Sequence, residues 1–378
     1  MMYLIQNAQI WDPAPLGIAD ILVAGGRVAA LGPKLDVRIP GLQSVDLQGA
    51  NLTPGLIDQH IHVAGAGGKR GFASLTSEVS AEELLAVGST TVVGLLGTDG
   101  ATRSIEALYA KVQGLNEQGM SAYMYTGYYG MDPKHITGSI QGDMVFIQPV
   151  LGCKIAISDI RSSYPTATEL MRRVREVVVG GMVSGKKGIL HFHLGGAASQ
   201  MDVLFEMLDH FEAPIQHLSP THVARTESLF TQAIEFALRG GSIDITTGAS
   251  KYTEPHLAVL RALEAGVNPD LITFSTDGHA GLDRKDASGQ VIGTRPAPIA
   301  ANLHAFQSLV REGSVKPDVA LKPVTTSPAR NLGLVHKGRI AVGADADFCL
   351  FDAEWNLGAV MARGSWNYQN PSVCALKF

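Results

Sequence analysis

Short apolar runs alternate with helix-patterned stretches through the middle of the chain. The runs are Leu56 to His62, Thr90 to Gly97, Ala122 to Tyr129, Lys154 to Ser158, Gly188 to Gly195, Ile215 to Val223, Ser242 to Thr247 and Leu271 to Gly278. Runs of this length, bounded by turn residues, predict buried strands. Between them, Ser80 and Glu83 form a capping-box pattern ahead of Leu84 and Leu85. Ile105, Leu108, Tyr109, Val112 and Leu115 recur at helical spacing, with Gly119 as a stop, and Ser228 to Arg239 runs into Gly240 and Gly241. Eight such strands alternating with helices predict a closed parallel (β/α)8 TIM barrel of class α/β in preference to an open sheet.

The two ends have a different texture. Met2 to Ile10, Asp20 to Ala24, Arg27 to Leu31 and Gln43 to Leu47 are β-rich, and so are Phe348 to Phe351 and Leu357 to Met361. This predicts a small β-sandwich domain built from residues 1–50 and 335–378, with the barrel spanning 51–334. Edge strands decorating the barrel are the alternative.

Composition narrows the class. Apolar residues make up 46% and charged residues 17% of 378, enough for a large core and unlike a disordered chain. The formal charge of −5, without a basic stripe, argues against a nucleic-acid partner. Cys153, Cys349 and Cys374 are far apart and form no CxxC pair, which points away from a disulfide framework or thiolate zinc site. No basic-then-apolar leader pattern opens the chain, and no run reaches membrane-spanning length. A soluble, cytoplasmic protein is therefore expected.

The candidate chemistry lies at strand ends. In Asp58-Gln59-His60-Ile61-His62 the alternation of a strand puts both histidines on one face, where two imidazoles can chelate one metal ion. Further candidate ligands are Lys154 opening the fourth strand, His193 ending the fifth, His222 ending the sixth and Asp277 ending the eighth. All would face the C-terminal mouth, where barrels of this kind do their chemistry. His191 shares a face with His193 one layer deeper and reads as a supporting residue, and His279 is placed to line the cavity.

These segments resemble the amidohydrolase superfamily, and within it the isoaspartyl (β-aspartyl) dipeptidases. The resemblance runs over nearly the whole chain, through Pro54-Gly55-Leu56-Ile57-Asp58, Ile136-Thr137-Gly138-Ser139, Pro220-Thr221-His222-Val223 and Asp345-Ala346-Asp347. It implies two divalent metal ions, with zinc favoured and manganese, cobalt and iron left open. It further implies a carboxylated Lys154 bridging them, His60, His62 and Asp277 at one ion, and His193 and His222 at the other. Asp277 would shuttle the proton and Tyr129 would assist at the carbonyl oxygen. Arg161 and Arg225 match arginines that hold a substrate carboxylate, and Gly67 and Thr98 match contacts to the aspartyl end. A homo-oligomer is also implied.

Two positions depart from that pattern. Lys69 stands where the dipeptidases carry a glutamate for the substrate's free amine, and Gly281 stands where they carry a serine. A cation in place of an anion repels an ammonium. The expected substrate is thus a small acidic dipeptide or amide: either a β-aspartyl dipeptide, or an amine-blocked acidic amino acid or dicarboxylic amide cleaved by an amidase or deacylase. A barrel without catalysis, serving as a scaffold, predicts a gap in the ligand set, and His60, His62, Lys154, His193, His222 and Asp277 leave none.

Overall fold

A computed structural model describes residues 1–249, 252–313 and 315–374. The last four residues of the expected C-terminal segment, 375–378, lie outside the described residues.

Five strands come first: β1 (Met2–Asp12), β2 (Ala14–Ala24), β3 (Arg27–Gly32), β4 (Gln43–Asp46) and β5 (Asn51–Pro54). The barrel strands follow: β6 (Leu56–Ile61), β7 (Ser89–Gly94), β8 (Ser121–Gly127), β9 (Val150–Ile157), β10 (Ile189–Leu194), β11 (Leu218–Thr221), β12 (Ile243–Thr246) and β13 (Ile272–Ser275). A hairpin, β14 (Gly281–Lys285) and β15 (Val291–Pro296), precedes the last three strands, β16 (Phe348–Phe351), β17 (Leu357–Ala362) and β18 (Ser365–Gln369).

Strands β6 to β13 pair in sequence order, each parallel to the next. The ring closes through a parallel bridge between Ile61 and Gly278, with His62 N donating to Gly278 O and Asp277 N to His60 O. A helix follows every barrel strand, from Ala81–Leu85 after β6 to Ala301–Arg311 after β13. The capping box expected at Ser80 forms, with Glu83 N donating to Ser80 Oγ at 3.1 Å and Ser80 N to Glu83 Oε2 at 2.7 Å.

Both termini share one sheet. β16 pairs antiparallel with β5, and β5 pairs parallel with β1, so the C-terminal strands join the N-terminal ones through Asn51–Pro54. Ile5, Ile10, Val23, Leu52, Phe348 and Met361 form its buried core. Lys337 ties this sheet to the barrel. Its buried ammonium lies 2.5 Å from Asp347, 2.8 Å from Asp345 and 2.5 Å from Ser121 Oγ at the start of β8.

The strand bounds move at the points where the chemistry sits. β9 starts at Val150, so Lys154 lies inside the strand and is wholly buried instead of opening it. β11 and β13 stop at Thr221 and Ser275, one and two residues short of His222 and Asp277. Both residues adopt left-handed backbone, at φ 65° and 52°. That turn swings their side chains into the mouth instead of continuing the pleat.

Candidate active site

The ends of β6, β9, β10, β11 and β13 bring the histidines, Lys154 and Asp277 into one buried cluster. His60, His222 and Asp277 offer ligand atoms that all lie within 4.8 Å of one another. Asp277 Oδ1 is 3.2 Å from His62 Nε2 and 3.3 Å from His60 Nε2. The His193 and His222 rings are 4.5 Å apart at their centroids. Lys154 Nζ sits 4.8 Å above the Tyr129 ring and donates to Leu96 O at 2.7 Å.

Burial sets the protonation states. It lowers the His60 imidazole to about 3 and pushes His62, His193 and His222 down as well, leaving neutral rings, the form that binds metal. Burial likewise brings the Lys154 amine down to about 7. It raises the Tyr129 phenol, so that hydroxyl stays protonated and able to donate.

The donor set fits a divalent cation. His222 Nε2 is buried with no hydrogen-bond partner, and His60 Nε2 and His62 Nε2 face Asp277 Oδ1 at 3.3 and 3.2 Å without an aligned hydrogen bond. Unpaired buried nitrogens of this kind are costly unless something occupies the space between them. His222 is steered from behind by Thr246 Oγ1, 2.6 Å from its Nδ1.

Above the cluster opens a cavity of about 420 Å³. Gly67, Lys69, Thr98, Arg161, Arg225 and Gly281 all line it, as do Tyr129, His62, His193 and Asp277. His279 does not. Its Nδ1 is 2.7 Å from Ser77 O, because the left-handed turn at φ 59° aims the ring away from the cavity wall. The two arginines differ. Arg161 spends its Nε and Nη2 on Asp159, at 2.8 and 2.5 Å, keeping Nη1 for Thr98 Oγ1 at 3.3 Å. Arg225 has a buried Nε with no hydrogen-bond partner and no carboxylate in ion-pair range among the described residues.

Asp159 carries weight that sequence reasoning passed over. Burial would raise its carboxyl, but hydrogen bonds from His193 and Arg161 hold it well below the usual range. It lies 3.2 Å from His193 Nε2, and Tyr129 Oη lies 2.9 Å from His193 Nδ1. The proximity of Asp159 to Arg161 in sequence was the available signal. Lys285 and Arg295, on the hairpin, also line the cavity. The pairing of Gly281–Lys285 with Val291–Pro296 that brings them over the cavity is a tertiary feature that their charge alone does not encode.

A parallel barrel with imidazole and carboxylate donors gathered at its mouth is the setting in which a hydrolase of this architecture would hold metal ions. The chain belongs to the amidohydrolase family, whose model matches residues 51–375, and members of that family are typically metal-dependent. Among solved structures it is similar to the β-aspartyl dipeptidase of Fervidobacterium islandicum AW-1 in complex with β-Asp-Leu, at 39% identity and a TM-score of 0.91, covering 100% of both chains. A dihydroorotase of Streptococcus pneumoniae is 22% identical over 403 residues, spanning 93% of this chain and 90% of that protein. An adenine deaminase of Deinococcus radiodurans matches more locally, at 48% identity over 62 residues, 16% of this chain and 11% of that one. No helix among the described residues is long and apolar enough to cross a membrane.

Proposed function

We propose that this amidohydrolase cleaves the amide bond of a small acidic substrate, a β-aspartyl dipeptide or a close analogue. The observation that carries the reading is the pairing of a buried donor cluster with Arg225, a guanidinium lining the same cavity with no acid in ion-pair range among the described residues. A guanidinium so placed matches a substrate carboxylate. Full-length similarity to a dipeptidase solved with β-Asp-Leu supports the substrate class.

In this reading His60, His62 and Asp277 would hold one divalent cation and His193 and His222 the other, zinc being favoured by the imidazole-rich donor set. Lys154 would carry a carbamate, whose oxygens would supply the anionic ligand that a bare ammonium cannot. Its neutral amine adds to carbon dioxide, forming the N–C bond and releasing one proton. The support is its complete burial with no carboxylate in ion-pair range among the described residues, surroundings that disfavour a bare ammonium. When bound, the cations supply Lewis acidity at the amide carbonyl and acidify a water toward neutral pH.

The chain's own residues do the rest. Asp277 accepts the proton of the attacking water and returns it to the departing amine nitrogen. Tyr129 donates its hydroxyl proton to the carbonyl oxygen as negative charge develops there. Arg225 and Arg161, whose Nη1 lies beside Thr98 Oγ1 in the cavity wall, hold carboxylate and set the amide against Asp277.

A second reading has its own observation. Lys69, Lys285 and Arg295 line the cavity together with Arg161 and Arg225, against the two acids Asp277 and Asp283, and Asp283 is bound to Arg70 at 2.9 Å. A wall of this charge favours an amine-blocked acidic substrate over a free ammonium. Hydrolysis of β-Asp-Leu beside N-acetyl-β-Asp-Leu by zinc-loaded protein separates the two. Faster cleavage of the free-amine dipeptide supports the first reading, and turnover of the blocked compound alone supports the second.

A further inference from the structure

Beneath the ligand cluster runs a chain of buried polar groups that none of these roles uses. His60 Nδ1 is 2.8 Å from His191 Nε2, and His191 Nδ1 is 3.1 Å from Ser219 Oγ. Asn331 Nδ2 donates to Ser219 Oγ at 3.0 Å and to Gln59 Oε1 at 2.9 Å. Gln59 Nε2 in turn donates to Asp244 Oδ1 at 2.7 Å. Every member of this chain is at most 1% exposed. Asn331 comes from the helix Thr326–Leu332, outside the barrel strands.

We infer that His191, Ser219 and Asn331 are positioning residues that orient the His60 ring for metal ligation, acting through one another. With Nδ1 engaged by His191, the His60 ring has only Nε2 to present to the cluster, where it faces Asp277 at 3.3 Å. For Nε2 to offer a lone pair, the proton must sit on Nδ1 and be donated to His191 Nε2. His191 then carries its own proton on Nδ1 and donates it to Ser219 Oγ.

Asn331 fixes the far end. An amide nitrogen only donates, so it supplies one hydrogen to Ser219 and the other to Gln59 and never competes as an acceptor. Ser219 Oγ has two lone pairs, so it can accept from Asn331 and from His191 together. Tyr125 stacks on His191 with centroids 4.8 Å apart and planes 16° from parallel, which holds that ring in the plane the relay needs. Ligation at His60 Nε2 sets the direction of the two histidine bonds, and Ser219 can accept at their far end while it also accepts from Asn331. Support behind a ligating histidine is worth about 10- to 100-fold in metal affinity.

The inference rests on His60 being a ligand and is independent of which amide is cleaved. Its test is the zinc dissociation constant of the full chain, measured by competition with a chromophoric chelator. The visible spectrum of the cobalt-loaded protein and the Tm of the metal-free protein are recorded alongside. His191→Phe should weaken zinc binding about 10- to 100-fold and shift the cobalt spectrum, with Ser219→Ala and Asn331→Leu weakening it in the same direction. Asn331→Leu added to His191→Phe should cost no further affinity, because the link is already cut. Unchanged zinc affinity with a lowered metal-free Tm would make these residues merely structural and overturn the inference. Should His191→Phe not fold, Ser219→Ala decides alone, since it removes a single oxygen. His60→Ala separates the premises: zinc affinity lost there but kept in His191→Phe refutes the relay, whereas affinity kept in both refutes His60 as ligand.

Discussion

Gly67 and Gly281 pack backbone against backbone in the cavity wall. A Cβ built on Gly281 lies 2.9 Å from Gly67 Cα and 3.3 Å from Thr294 Cγ2. The loop after β6 and the hairpin after β13 therefore meet at a contact only glycine allows, and Arg70 and Asp283 clasp the same two segments at 2.9 Å. This explains why no serine occupies position 281. Gly281→Ser should cost about 1–3 kcal/mol of stability through overpacking and raise KM by displacing Gly67. Thermal unfolding and steady-state kinetics read both effects.

Tyr129→Phe tests the oxyanion role. Loss of one preorganised donor costs about 100- to 1,000-fold in kcat, while KM should stay near its wild-type value. An equal loss confined to KM would make Tyr129 a binding residue instead.

Arg225→Met tests carboxylate recognition. With no acid in ion-pair range among the described residues, the guanidinium gives its charge to the substrate, and its removal should cost about 2–5 kcal/mol in kcat/KM. The defect should shrink for a substrate whose carboxylate is amidated, because the lost contact is then absent in both proteins.

Lys337→Met tests the join between the terminal sheet and the barrel. Burial lowers the Lys337 ammonium, but Asp347 and Asp345 outweigh it and raise its pKa above the ordinary value. A raised pKa gives stability that is complete below the unfolded-state value and is lost as pH climbs through the folded one. The share of stability that Lys337 supplies should therefore be lost only in strong alkali. The variant should be weaker by about 3–5 kcal/mol at neutral pH, because Asp347 is left buried and unpaired. Denaturant melts across pH measure both.

The barrel was legible because its strands are short apolar runs, and a parallel barrel buries both faces of each strand. His60 and His62 stood out because one dipeptide step places two imidazoles on a common face. Other features lay in tertiary contacts that no local pattern encodes. The start of β9 was hidden by Gly152, which is needed because a Cβ there would lie 1.9 Å from Ile189 O. β5 is four residues long and ends in proline, and it reads as a strand only once the two termini meet across it. His222, Asp277 and His279 share left-handed backbone, a conformation that propensity does not flag for these residues, and it sends the first two into the mouth and the third away. Asn331 gave no signal, since its partners Gln59 and Ser219 are 272 and 112 residues distant.

The most direct test of the account is hydrolysis of β-Asp-Leu by metal-stripped protein titrated with zinc. Activity should be absent at the start, rise with added zinc, level off near two ions per chain and vanish again on chelation. Cleavage by the stripped protein, or none at full zinc occupancy with β-Asp-Leu and its N-acetyl counterpart alike, would contradict metal-dependent amide hydrolysis at this site.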